Sequence, residues 1–162
     1  MTNPRDIAGV AINIYTSAPL QMTKAVELPA SPEEVFATLA DYTAMPEWFP
    51  GMSSVSVDNA GAQLENGAGA VRVCSFGPQS MTEDIVLFDA PHKLGYAIRD
   101  GNFMGMSNHF ALVTVESKGA SSLLGWHQFF NHPDSEAFKA QGGAMLGGAF
   151  ENLQAHYTST QS

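Results

Sequence analysis

The spacing of apolar residues changes period twice along the chain. From 20 to 30, LQMTKAVELPA alternates apolar and polar, the period of a half-buried strand. The period then shifts: Val35, Phe36, Leu39 and Ala40 make one helical face. Ser31 precedes them as an N-cap, Pro32 suits the first helical position, and Glu34 completes a capping box. Pro46 and Pro50 end any helix nearby, so Trp48 and Phe49 fall on a short broken segment. Strand periodicity follows. MSSVSVDN leads into a turn at Asn59-Ala60-Gly61. GAVRVCSF (69–76) and QSMTEDIVLF (79–88) flank Gly77-Pro78, and KLGYAI (93–98) comes after Ala90-Pro91-His92. NHFALVTVE (108–116) and SSLLGWHQFF (121–130) flank Ser117-Lys118-Gly119-Ala120. Short strands with regular turns predict an antiparallel meander. After His132-Pro133 the helical period returns. Asp134 or Ser135 caps a helix running to about Tyr157, with Phe138, Met145, Leu146, Ala149 and Leu153 close to one stripe. The order is strand, helical insert, about six strands and a long helix. That predicts an α+β fold, one long helix against a curved antiparallel sheet. Residues 1–19, ending at Pro19, read as an arm ahead of a single domain over 20–162.

Two readings fit QGGAMLGGAF inside the last helix. Four glycines there cost about 1 kcal/mol each relative to alanine. Either they leave side-chain-free surface that widens a cavity or lets the helix flex, or they mark a kink or a loop before a shorter helix.

Composition narrows the function classes. A chain of 162 residues suggests one domain with a sizeable core. Hydrophobic residues make up 44% and charged residues 14%, which leaves apolar surface for an internal pocket, a large core or an oligomer interface, monomer or homodimer. The net charge of −9 without any basic cluster argues against nucleic acid and against an anionic membrane surface. The single Cys74 allows no internal disulfide and no Cys-rich zinc site. No two histidines have helical metal spacing, and neither a phosphate-cradling glycine loop nor a G-x-S-x-G elbow is present. No metal and no cofactor are expected. Asp6, Asn13 and Thr16 interrupt any signal-like pattern near the start, and no apolar run approaches about 18 residues. The expectation is a cytoplasmic protein without membrane insertion.

The order of these words resembles the helix-grip superfamily, also called START-like or SRPBCC, which includes birch-pollen-type allergens and the polyketide cyclase/dehydrase family. The resemblance covers roughly 20–157. It rests on ASPEEVFATLADYTAMPEWFPGM, on Gly67 and Gly69 before VRV, on EDIVLFDAPHKLGY, and on GWHQFF followed by a last helix carrying ENL. It implies a curved antiparallel sheet wrapped around the long C-terminal helix, two short helices after the first strand, and an internal cavity. Trp48 and Phe49 would then close one end of that cavity, as a lid at its rim or as packing at the end of the core. The fold alone does not name a reaction.

Alternation assigns faces once one residue is anchored. A two-residue turn at Gly77-Pro78 pairs Phe76 with Gln79, Cys74 with Met81 and Arg72 with Glu83. The resemblance puts the face of Phe76, Cys74 and Arg72 inside. It likewise turns Leu94, Tyr96 and Ile98, then His109, Ala111, Val113 and Val115, inward. Phe110 and Leu112 are equally apolar, so the residues alone leave that strand undecided. Leu124, Trp126 and Phe130 look inward and carry Gln128 with them.

The candidate catalytic residues are therefore Arg72, Glu83, Tyr96 and His109. The candidate ligand-binding residues are Trp48, Phe49, Cys74, Phe76, Met81, Trp126, Gln128, Phe130 and Met145. Apolar walls with a few polar groups suit a small-molecule pocket. Glu83 or His109 would move a proton, and Arg72 and Tyr96 would hold a developing oxyanion. Each also has a plainer reading: Arg72 with Glu83 as a structural pair between strands, His109 and Tyr96 as walls, Cys74 as a small buried hydrophobe. Two functions follow. One is a cofactor-independent polyketide cyclase/dehydrase-like enzyme, a lyase or isomerase acting on a carbonyl or aromatic substrate. The other is a non-catalytic carrier of a lipid, quinone or phenolic ligand. Beside these two stands a protein-interaction module, which would need an exposed apolar patch.

Overall fold

The two-residue turn at Gly77-Pro78 pairs Phe76 with Gln79, Cys74 with Met81 and Arg72 with Glu83, as its length predicts. Gly77 takes φ 68°, a conformation open to glycine at little cost. This hairpin sits inside a computed structural model that describes residues 5–160. In chain order the elements are β1 (Asp6–Ile7), β2 (Val10–Ala11), β3 (Leu20–Leu28), α1 (Pro32–Ala40), a 3-10 segment (Tyr42–Glu47), β4 (Ser54–Asp58), β5 (Val71–Phe76), β6 (Gln79–Asp89), β7 (Lys93–Ile98), β8 (Ser107–Lys118), β9 (Ser121–Asn131) and α2 (Ser135–Thr160). Strands β3 to β9 form one antiparallel sheet in the order β3-β9-β8-β7-β6-β5-β4, with β3 and β4 at its edges. The fold is α+β, a long antiparallel sheet packed against a long C-terminal helix, the helix-grip arrangement; the sheet does not close into a barrel.

Local chemistry starts the first helix as the sequence suggests, whereas Pro46, expected to end any helix nearby, sits inside the 3-10 segment. The Ser31 hydroxyl accepts from the Glu34 N–H at 3.2 Å, and Pro32 opens α1. Val35, Phe36 and Leu39 are the buried stripe of α1. The last helix is continuous from Ser135 to Thr160, so its glycines do not mark a loop before a shorter helix. They seat neighbours instead. A Cβ on Gly142 would meet Met22 Cε at 3.1 Å, one on Gly143 would meet Lys24 Cε at 3.7 Å, and one on Gly148 would meet Pro50 Cγ at 3.0 Å. Absent side chains let α2 approach β3 and the segment after the 3-10 turn.

The sheet is buried along one face and, on the other, around β8. One face carries Cys74, Met81, Ile85, Tyr96, Ala111, Val113, Val115, Leu124, Trp126 and Phe130, packed with Leu146, Ala149 and Leu153 of α2. On β8, Phe110 and Leu112 turn to the other face and join Val10, Ile12 and Phe129 in a separate cluster. Residues 5–19 build that second layer; the first four residues of the expected arm lie outside the described residues. Ile12 is fully buried, Tyr15 stacks on Phe110 with centroids 4.5 Å apart, and the Thr16 hydroxyl donates to the Asn108 carbonyl at 2.6 Å. The family register for β8 therefore holds, and its outward apolar residues are explained by a cover drawn from the start of the chain.

Candidate functional site

Between the sheet, the 3-10 segment and α2 lies a cavity of about 50 Å³. Its walls are apolar apart from Arg72, Glu83, Tyr96 and Gln128. Cross-strand pairing on β5 and β6 sets Arg72 against Glu83, and β7 brings Tyr96 beside them. Arg72 is 2% exposed and Glu83 4%. The Arg72 Nε–H donates to Glu83 Oε1 at 2.6 Å. The guanidinium carbon lies over two aromatic rings, 4.7 Å from the Tyr42 centroid and 4.6 Å from that of Tyr96. Such stacking favours the flat arginine cation over a lysine. Arg72 Nη1 points at a softer partner, Met45 Sδ, at 3.5 Å.

Burial is the largest single influence on Arg72 and works against its charge, but Glu83, joined by Cys74, Tyr96 and Tyr42, outweighs it and keeps the guanidinium protonated. The Tyr96 phenol is pushed up by burial and by the Glu83 charge, with Arg72 opposing, so its proton stays on. Its oxygen accepts from Trp126 Nε1–H at 3.2 Å. The Tyr42 phenol is pushed up to about 12 by burial, with Arg72 pulling it down and Glu83 up, and it donates to the Asn66 carbonyl at 2.7 Å. Burial, then Glu83, pushes the Cys74 thiol up to about 12, so Cys74 is a neutral thiol hydrogen-bonded to Glu83 rather than a nucleophile.

His109 is buried behind this wall rather than in it. The Ile98 N–H donates to Nδ1 at 3.1 Å, so that nitrogen carries no proton. Nε2–H then donates to Gln128 Oε1 at 2.8 Å. Burial lowers the imidazole pKa, more than the Gln128 bond and Glu83 restore it. His109 is thus a neutral ring with both nitrogens engaged, and it orients the Gln128 amide, whose NH2 is the end left to donate.

The broken segment divides its two aromatics. Phe49 lines the cavity, and its ring meets Phe76 edge-on at 6.4 Å, which in turn meets Phe103 at 5.8 Å. Phe103 is 37% exposed, so this aromatic row runs from the interior to the surface. Trp48 turns the other way. It lines a hollow between the 3-10 segment and the end of α2, with Asp41, Asn152 and His156. Its ring still backs the core through Trp126, with centroids 6.4 Å apart.

Of the residues singled out in the sequence, Arg72, Glu83, Tyr96, Phe49, Phe76, Met81, Gln128 and Met145 meet around the cavity. Cys74, His109, Trp126 and Phe130 form the layer behind it, and Trp48 stands aside. The sequence reading did not single out Tyr42 or Met45, which flank the guanidinium, nor Met22, Met52, Met104 and Met106 in the wall. The only signal for the methionines was their number, eight in the chain. Among the described residues no group of His, Cys, Asp and Glu could hold a metal ion.

The architecture and this cavity agree with the comparisons. A family model described as polyketide cyclase / dehydrase and lipid transport matches residues 19–158. The chain belongs to that family. Its fold is shared with the protein XoxI from Bacillus cereus, at 18% identity and a TM-score of 0.74 over 87% of this chain and 97% of that one. A START superfamily protein from Mycobacterium smegmatis aligns with a TM-score of 0.72 and 15% identity, over 88% of this chain and 99% of that one. A norcoclaurine synthase point mutant from Thalictrum flavum, in complex with a transition-state analogue, aligns with a TM-score of 0.66 and 15% identity, over 91% and 98%. No curated protein matches the sequence. This cyclase/dehydrase-family chain thus has a hydrophobic ligand-binding fold. No helix among the described residues is long and apolar enough to cross a membrane.

Proposed function

We propose that the protein is a cofactor-independent enzyme of the cyclase/dehydrase type, acting on an apolar carbonyl or aromatic substrate held in the cavity. The observation that carries this reading is a buried carboxylate, guanidinium and phenol sharing one wall of an otherwise apolar cavity. Glu83 takes a proton from the carbon next to a substrate carbonyl. Arg72 and the Tyr96 O–H, both firmly protonated, donate to the enolate oxygen that results. The enolate carbon then attacks a second carbonyl, and the proton returns from Glu83 to the new alkoxide. Loss of water would complete a dehydration. Gln128, set by His109, supplies a further donor to the substrate. The site of the Thalictrum synthase supports small-molecule chemistry on this fold by analogy alone.

A second reading is a carrier of a lipid, quinone or phenolic molecule. One observation favours it: Glu83 is satisfied by Arg72 and Cys74 without any ligand, as a structural pair would be. Native mass spectrometry on protein purified gently from its host identifies a retained molecule, and incubation with that compound then tests for conversion. For an enzyme, Glu83→Gln abolishes turnover and leaves affinity within a few-fold. If the wild type binds the compound and never converts it or any polycarbonyl analogue, the enzyme reading fails and the carrier stands.

A further inference from the structure

The chain contains eight methionines, and every one after Met1 lines the same cavity. They come from separate parts of the sequence: Met22 from β3, Met45 and Met52 from the broken segment and its continuation, Met81 from β6, Met104 and Met106 from the β7–β8 loop, and Met145 from α2. A core needing only apolar volume would draw on leucine and valine, whose rotamers are better defined. Methionine is unbranched, has three rotatable side-chain bonds and carries a polarisable sulfur that makes favourable contacts with aromatic rings. The cavity these side chains surround is about 50 Å³, far below the roughly 300 Å³ at which small-molecule pockets begin. The lining is therefore collapsed, and it is built from the side chains that refold most readily.

One of these sulfurs occupies a revealing place. Glu83 holds Arg72 at Nε, and the guanidinium lies over the Tyr42 and Tyr96 rings. Its Nη1 is aimed at Met45 Sδ, 3.5 Å away. A thioether is a weak acceptor, and charge-assisted bonds to oxygen are much stronger. A ligand oxygen would be the better partner. The aromatic row Phe49, Phe76 and Phe103 leads outward from the cavity.

We propose that the methionines are a collapsible lining which an aromatic ligand bearing one acceptor oxygen displaces, and that this oxygen replaces Met45 Sδ on Arg72. The proposal rests on the reading of the cavity as a hydrophobic small-molecule site and specifies which molecules it takes. Ring faces lie against methionine sulfurs and the phenylalanine row, and the oxygen sits at the arginine.

Protein labelled with ¹³C at the methionine methyls, titrated with three probes, tests it. The probes are 2-acetylnaphthalene, naphthalene, and 2-undecanone as an aliphatic ketone of similar size. The expected result is that 2-acetylnaphthalene shifts most of the labelled methyls and binds at least ten-fold more tightly than either other probe. Met45→Leu, which removes the competing sulfur, keeps or raises the preference for the ketone over naphthalene. Equal binding of naphthalene, or a fall in that preference in Met45→Leu, overturns the oxygen contact. Equal or better binding of 2-undecanone overturns the aromatic class while leaving the cavity as a hydrophobic site. If no probe moves any methyl, both the inference and the reading beneath it fail.

Discussion

Arg72 and Glu83 face each other across β5 and β6, with Nε 2.6 Å from Oε1 and both side chains sealed from solvent. Removing charges from water costs several kcal/mol per ion, so their mutual attraction and the stacking of Tyr42 and Tyr96 must offset that cost. A single deletion leaves the partner's charge buried and alone. Glu83→Ala is expected to lower unfolding stability by about 3–5 kcal/mol. The double change Arg72→Met with Glu83→Leu should recover most of that loss, since two apolar side chains replace the pair. Urea unfolding of the singles and the double measures this. A double variant as unstable as the single would show that the pair is not an isolated unit.

His109 gives the fold a pH dependence of fixed sign. Burial holds its folded pKa below the ordinary value of about 6.5. The unfolded chain therefore binds the proton first as pH falls. The stabilisation from neutral His109 is complete above about 6.5 and is lost as pH drops from there toward the folded pKa. Half-buried His127 is lowered by burial too and adds in the same direction. His109→Asn, which keeps an acceptor for the Ile98 N–H, should flatten the stability profile below pH 6.5 relative to wild type. Thermal unfolding across pH 5 to 8 reads the slope, and an unchanged slope would mean His109 does not carry it.

The glycines of α2 should respond differently to alanine according to what each one faces. Gly143 leaves ordinary contact distance to Lys24, so Gly143→Ala gains helix propensity of about 1 kcal/mol without a clash. At Gly148 the new Cβ meets the Pro50 ring at 3.0 Å, which cannot swing away, so Gly148→Ala should gain nothing or lose stability. Gly142→Ala presses on the flexible end of Met22 beside the cavity, and is expected to be near neutral in stability while weakening ligand binding. Melting temperatures of the three variants, with binding measured for the third, check the order.

Gly69 is a stricter case. It takes φ 96°, and a Cβ there would lie inside the van der Waals radius of the Gly61 carbonyl. Every atom that this Cβ would meet, on Gly61 and Ala62, is backbone, so none can relax by a rotamer change. Gly69→Ala should lose several kcal/mol in urea unfolding or fail to accumulate as folded protein. A variant within about 1 kcal/mol of wild type would show that the Gly61–Gly69 approach is dispensable.

The sequence by itself determined the elements and much of their register. Ser31, Pro32 and Glu34 start α1 through bonds made within one turn, and a two-residue turn at Gly77-Pro78 leaves one pairing, which places Arg72 opposite Glu83. These are local effects, carried by residues close in the chain. Tertiary structure decided what local pattern could not. On β8 the alternation of Phe110 and Leu112 with Ala111 and Val113 looks the same on both faces, because the start of the chain returns to cover the back of the sheet. Trp48 and Phe49 are neighbours in sequence, yet Phe49 lines the cavity and Trp48 a separate hollow, since successive side chains at the end of the 3-10 segment point different ways. Tyr42 stacks on Arg72 from 30 residues away, and methionines from seven places in the chain meet around one small space. No spacing rule links such residues. They come together only when the sheet, the broken segment and α2 close on one another.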